Sequence, residues 1–195
     1  MRKVSLLSLV LIISSLSVLA QDKGKTRTGF RAGVNYFAQR IEENKEYSYS
    51  DFRTGLTVGI FHEIPLGTRF TFQPELVFNN MGGEKNGTVT KLNYMSLPLL
   101  LKLHGKRFGA YIGPQFSLLM SAKTKAEFDV ETDVKDTYKS GDVAGITGVE
   151  YSLGANNSFV ISFRYQFAIN DVLKDGNPGE AIRNTGVQLT AGFRF

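Results

Sequence analysis

The chain of 195 residues has no cysteine and no tryptophan, 20 glycines, 15 phenylalanines and 8 tyrosines, with 42% apolar and 21% charged residues; this length suits one domain. The formal charge of +5 falls to +3, with 21 basic residues against 18 acidic, once Arg2 and Lys3 are assigned to a cleavable leader, a surplus too small to point to nucleic acid. The absence of cysteine excludes a disulfide scaffold, a thiolate metal site and a lipoprotein anchor.

Residues 1–20, MRKVSLLSLVLIISSLSVLA, combine a short basic start, an apolar run and a small-residue approach ending at Ala20. This is the layout of a secretory signal peptide. Residues 21–27 form a polar lead-in, and residues 28–195 are expected to form the mature domain outside the cytoplasm.

The mature chain is marked by period-two alternation, which a sliding hydropathy window averages away. Near the start, Phe30, Ala32, Val34 and Tyr36 alternate with Arg31, Gly33 and Asn35. Further on, Phe70, Phe72, Pro74, Leu76 and Phe78 alternate with Thr71, Gln73, Glu75, Val77 and Asn79. The clearest case is residues 158–167, where Phe159, Ile161, Phe163, Tyr165 and Phe167 oppose Val160, Ser162, Arg164 and Gln166. The last residues repeat it, with Val187, Leu189, Ala191, Phe193 and Phe195 opposite Gln188, Thr190, Gly192 and Arg194. Weaker segments at 54–63, 92–103, 107–120 and 142–153 bring the strands to eight. Long polar connections (39–53, 80–91, 121–141, 170–184) alternate with short ones (64–69, 104–106, 154–157). That rhythm predicts an all-β fold: an eight-stranded, antiparallel, up-and-down transmembrane β-barrel with short periplasmic turns.

A soluble, lipocalin-like barrel with its apolar residues inside competes with this reading. Loop asymmetry and aromatics at strand ends favour the membrane. Phe70 and Phe78, like Phe159 and Phe167, lie eight residues apart on one face, which suits aromatic girdles around an apolar band about 25 Å tall. With the aromatic face toward lipid, the charges of the same strands turn inward. An eight-stranded barrel has an interior filled by side chains, so Glu75 and Glu150 are expected to pair there with Arg31, Lys102, Arg164 and Arg194. Pro74, Pro98 and Pro114 fall inside strands where a ladder donor is expected, which predicts bulges or kinks.

The blocks GFRAGVNYF (29–37), QPELVFNNMGGE (73–84) and NYMSLPLLLKLHGKRFGAYIGPQFSLLMS (93–121) together resemble the small outer-membrane β-barrel family of Bacteroidetes, labelled porin family or PorT-like. The resemblance follows residues 29–195 and implies an eight-stranded outer-membrane barrel without implying one activity. One branch of the family is tied to protein secretion. The carboxyl terminus is similar to the assembly signal read by the barrel assembly machinery. Gln188, Phe193 and Phe195 fit that signal, and Thr190 stands where it has glycine.

The residues offer little chemistry and predict no enzyme, cofactor or metal site. The two histidines, His62 and His104, fall at the short-turn end, away from the outer rim where a lipid-modifying barrel would work. The long connections are the candidates for function, because functional residues concentrate on loops held by a rigid scaffold. Glu127, Asp129, Glu131 and Asp133 alternate with Phe128, Val130, Thr132 and Val134, a pattern for a solvated strand extension or an acidic ladder. Tyr47, Tyr49 and Phe52 sit among charges, and Asn86-Gly87 is a hairpin-turn signal. The expected partners are outer-membrane lipid and an extracellular or envelope protein or glycan. The favoured role is structural or interactive, without an open pore. A narrow porin-like channel and an accessory of an outer-membrane secretion system are the alternatives.

Overall fold

A computed structural model of the chain describes residues 25–85, 87–125, 131–154, 156–174 and 180–195. The expected leader, most of the lead-in, Asn86, Glu127, Phe128, Asp129 and Val130 lie outside the described residues. Among the described residues there are ten strands: β1 (Arg27–Glu43), β2 (Glu46–Tyr49), β3 (Asp51–Pro65), β4 (Phe70–Lys85), β5 (Thr88–His104), β6 (Phe108–Lys125), β7 (Glu131–Asp133), β8 (Gly141–Leu153), β9 (Phe159–Ala168) and β10 (Glu180–Arg194).

Eight of them form the wall, in the order β1-β3-β4-β5-β6-β8-β9-β10, and β10 closes onto β1. The closing ladder runs antiparallel from Gly29 opposite Arg194 to Glu43 opposite Glu180. Closure removes the sheet edges, which would otherwise present unpaired backbone groups. All wall neighbours pair antiparallel, so the chain runs up and down around a cylinder. β2 and β7 are short additions that pair with β1 and β6.

The strands run further than their alternation suggests. Segment 39–53 is a hairpin, in which β1 continues to Glu43, turns at Asn44 and Lys45 (φ 51° and 70°) and returns as β2. Segment 80–91 is almost wholly strand, since Lys85 pairs with Thr88 and leaves two residues between them. Gly87 supplies the turn at φ 72°. Polar residues above an apolar band still satisfy their backbone through the ladder, so a change of side-chain character does not end a strand.

The prolines cause gaps, not the expected bulges. Pro74, Pro98 and Pro114 lie inside β4, β5 and β6. Each coincides with a two-residue interruption of one ladder, and the register resumes unchanged: Phe61–Glu75 to Ile64–Phe72, Pro74–Leu99 to Val77–Ser96, and Pro98–Gln115 to Leu101–Ile112. Losing one N–H removes a bond without adding a residue, so no slip follows. The register shifts fall elsewhere, between Phe52 and Thr57 and between Asn93 and Tyr94.

Candidate functional site

Alternation sorts every wall strand into an outer and an inner face. Phe30, Val34, Tyr36, Leu56, Val58, Ile60, Ile112, Phe116, Ile161, Phe163 and Leu189 are exposed on the outside, while Arg31, Glu75, Lys102, Glu150, Arg164 and Gln188 are buried within. A large apolar exterior around a polar interior inverts the arrangement of a water-soluble barrel.

The inner charges form two groups. At mid-height Arg164 of β9 donates to both oxygens of Glu75 (3.0 and 3.2 Å) and, through Nε, to the Tyr111 hydroxyl at 3.2 Å. Arg31 reaches Glu75 at 3.3 Å and lies 4.7 Å over the Phe61 ring. Gln73 donates to Glu75 at 2.6 Å. Nearer the short turns, Lys102 donates to Glu150 at 3.0 Å and also to Glu63. Arg194 donates to Glu63 (2.9 and 3.0 Å), to Glu150 at 3.3 Å and to Ser152 at 2.7 Å. Removing one partner from such a buried group leaves an uncompensated charge, costing about 3–5 kcal/mol.

All six residues expected in the interior therefore meet carboxylate or cation partners there. Glu63 is a seventh member that the sequence reading left out. Its signal was parity, since it shares the inward face of β3 with Thr57 and Phe61.

The far end of the lumen is built differently. Phe37, Met81, Leu92, Tyr94, Leu119 and Ala122 point inward from the wall, and Tyr138 and Val172 fold over them from the connections beyond β7 and β9. Phe37, Leu92 and Tyr94 have no exposed surface. Asp171 fastens this lid: one carboxylate oxygen accepts from the backbone N–H groups of Leu173 (2.9 Å) and Ile182 (2.8 Å), and the other from Lys139 at 2.7 Å. Partial burial raises its carboxyl and these hydrogen bonds outweigh that, holding it below the usual carboxylate range.

The expected girdle residues occupy the outer wall. Phe70, Phe159 and Phe167 are exposed, and Phe78 is half-buried. Phe193 stands 6.2 Å from Phe30 and 5.0 Å from Phe159, while Tyr36 stacks on Phe52 at 4.7 Å toward the other rim. Gln188 is buried in the lumen, and Phe195 is exposed and exchanges backbone hydrogen bonds with Thr28 at the barrel seam. His62 shares a 2.9 Å hydrogen bond with Thr28, and His104 lines a mouth of about 600 Å³ at the short-turn end. In the expected acidic ladder, Glu131 accepts from Lys91 (3.0 Å) and Lys123 (3.1 Å), so this carboxylate ties the β7 extension to the wall.

Residues 19–174 match the family model described as outer membrane protein beta-barrel domain. The chain belongs to this family. As an outer-membrane barrel it turns its apolar wall to lipid, its short turns to the periplasm and its lid outward. Among solved structures, Ail of Yersinia pestis, in complex with the heparin analogue sucrose octasulfate, is similar at 14% identity and a TM-score of 0.50, covering 88% of this chain and 100% of that one. Neisserial surface protein A is similar at 14% identity and a TM-score of 0.51, covering 87% of this chain and 97% of that one. At such identity the likeness concerns the fold. No curated protein matches the sequence.

Proposed function

We propose that this outer-membrane barrel is a closed, non-catalytic scaffold that presents its extracellular end to a partner and conducts no solute. The observation that carries the reading is the double filling of the lumen. Paired charges occupy the lower half, and the Phe37, Leu92, Tyr94 and Tyr138 lid occupies the upper. The outer rim suits an anionic glycan, because Lys135, Lys139 and Lys174 outnumber the one carboxylate, Asp136, around a recess of about 450 Å³ beside Tyr138, and Lys139 keeps two donors beyond its bond to Asp171. Ail holds a sulfated sugar in its crystal structure, and the same ligand class suits these lysines.

Two measurements test the reading together. Purified protein in a planar bilayer is expected to give no steady current. Sucrose octasulfate is expected to bind in a salt-dependent manner and to lose affinity when the three lysines become glutamine. A steady open-channel current would replace the reading with a narrow porin-like channel.

A role as an accessory in protein secretion, consistent with a place in the PorT-like branch of Bacteroidetes, has one observation in its favour. The periplasmic mouth is rimmed by Lys25, Arg27, His104, Lys106 and Arg107. Co-purification with periplasmic components, abolished by charge reversal at Lys106 and Arg107, would support it.

A further inference from the structure

The outer wall carries two arginines where its apolar surface ends. Arg40 of β1 lies directly opposite Arg183 of β10 in the closing ladder. By alternation both side chains face outward, in phase with Tyr36 on β1 and with Val187 and Leu189 on β10. Directly opposed residues of an antiparallel pair sit about 4.5–5.5 Å apart at Cα, and like charges placed so repel. One carboxylate addresses the pair: Glu42 accepts from Arg183 at 2.7 Å. Arg40 makes no ion pair among the described residues. Its guanidinium lies 5.6 Å over the Tyr47 ring, and its Nε is buried without a hydrogen-bond partner. The two arginines border a groove of about 260 Å³ whose other walls include Tyr49, Phe52, Tyr165 and Phe167.

The height of the groove identifies its occupant. The Phe30, Phe159 and Phe193 cluster marks the periplasmic edge of the apolar wall. Ten residues of β1 separate Phe30 from Arg40, about 33 Å of strand. At a tilt of about 45° this is roughly 23 Å of height, the far margin of an apolar band about 25 Å tall. The arginines thus stand at the level of the outer-leaflet headgroups with Tyr49, the cross-strand partner of Arg40, beside them, and Phe52, Tyr165 and Phe167 lie below at the level of the upper acyl chains. We propose that this groove holds the phosphate-bearing headgroup of an outer-leaflet lipid, with Arg40 and Arg183 donating to the phosphate and the aromatic residues lying against the first acyl segment. Guanidinium groups suit this task because their forked donors match phosphate oxygens. An anion between the two arginines also relieves their mutual repulsion. Glu42 is the competing ligand, and phosphate binding draws Arg183 away from it.

Native mass spectrometry of the folded protein from mixed micelles tests this, with lipid A bearing two phosphates as probe and the phosphate-stripped lipid and inorganic phosphate as further arms. The diphosphorylated lipid is expected to stay bound. Retention is expected to fall by about tenfold or more in the double variant R40Q/R183Q, as loss of charge-assisted hydrogen bonds implies, and to rise in E42Q. K123Q, away from the groove, is expected to bind as the parent does. A heated-versus-unheated gel confirms that each variant is folded before binding is read. Equal retention of the stripped lipid, parent-level binding by a folded R40Q/R183Q, or displacement of the lipid by millimolar inorganic phosphate would overturn the assignment.

Discussion

Arg164 and Arg31 share one carboxylate unequally. Arg164 makes two hydrogen bonds to Glu75 and a third to Tyr111, whereas Arg31 makes a single polar contact, at 3.3 Å, and leaves Nε and Nη1 without hydrogen-bond partners. Replacing Arg164 by alanine is expected to destabilise the barrel by about 3–5 kcal/mol, and R31A by clearly less. Urea unfolding in detergent micelles reads both, and the reverse order would contradict the assigned geometry. Asp171 gives a pH dependence outside the membrane. Its carboxyl is depressed in the folded state, so its contribution is complete above the ordinary carboxylate pKa and is lost as pH falls through the lower folded value. Hydrogen exchange at Leu173 and Ile182 is expected to show their protection weakening relative to D171N only below the usual carboxylate range. Loss of that difference near neutrality would refute the clip. Six members of the interior network were legible because each lies opposite an apolar face in the chain, aromatic for Arg31, Glu75, Arg164 and Arg194 and aliphatic for Lys102. Glu63 has the inward parity of Thr57 and Phe61 but was passed over because it is the last residue before the alternation of β3 fails, at buried Ile64.

At the scale of elements, the strands read best where hydrocarbon imposes strict alternation. β9 begins and ends within one residue of its expected limits. Above the membrane that constraint lapses, which is why the hairpin of β1 and β2 and the rise of β4 and β5 passed for loops. The apolar lid was hidden for a related reason. Phe37, Met81, Leu92 and Tyr94 lie at inward parity, where the outward-aromatic rule gives no guidance and only closure by Tyr138 and Val172 explains them. The seam between β1 and β10 carries its own prediction. Phe195 exchanges two backbone hydrogen bonds with Thr28, and Phe193 packs between Phe30 and Phe159. Deleting Phe195 is expected to lower outer-membrane yield more than it lowers the stability of protein refolded in detergent, as a recognition signal would. Equal losses in both assays would assign the residue to the seam alone.

The whole molecule is a cylinder whose surfaces are sorted by solvent: hydrocarbon outside, paired charge within, an apolar plug toward the medium and a basic mouth toward the periplasm. Its position in the membrane, its filled lumen and the lipid groove all depend on that sorting. Because the chain has no cysteine, single cysteines placed along residues 160–166 of β9 and spin-labelled in bilayers report it without background. The expected result is a period of two, with I161C, F163C and Y165C open to oxygen dissolved in lipid and V160C, S162C, R164C and Q166C shielded from it. Oxygen access in the opposite phase, or uniform along the strand, would contradict the central claim that the phenylalanines of this wall face lipid and its arginine faces the axis.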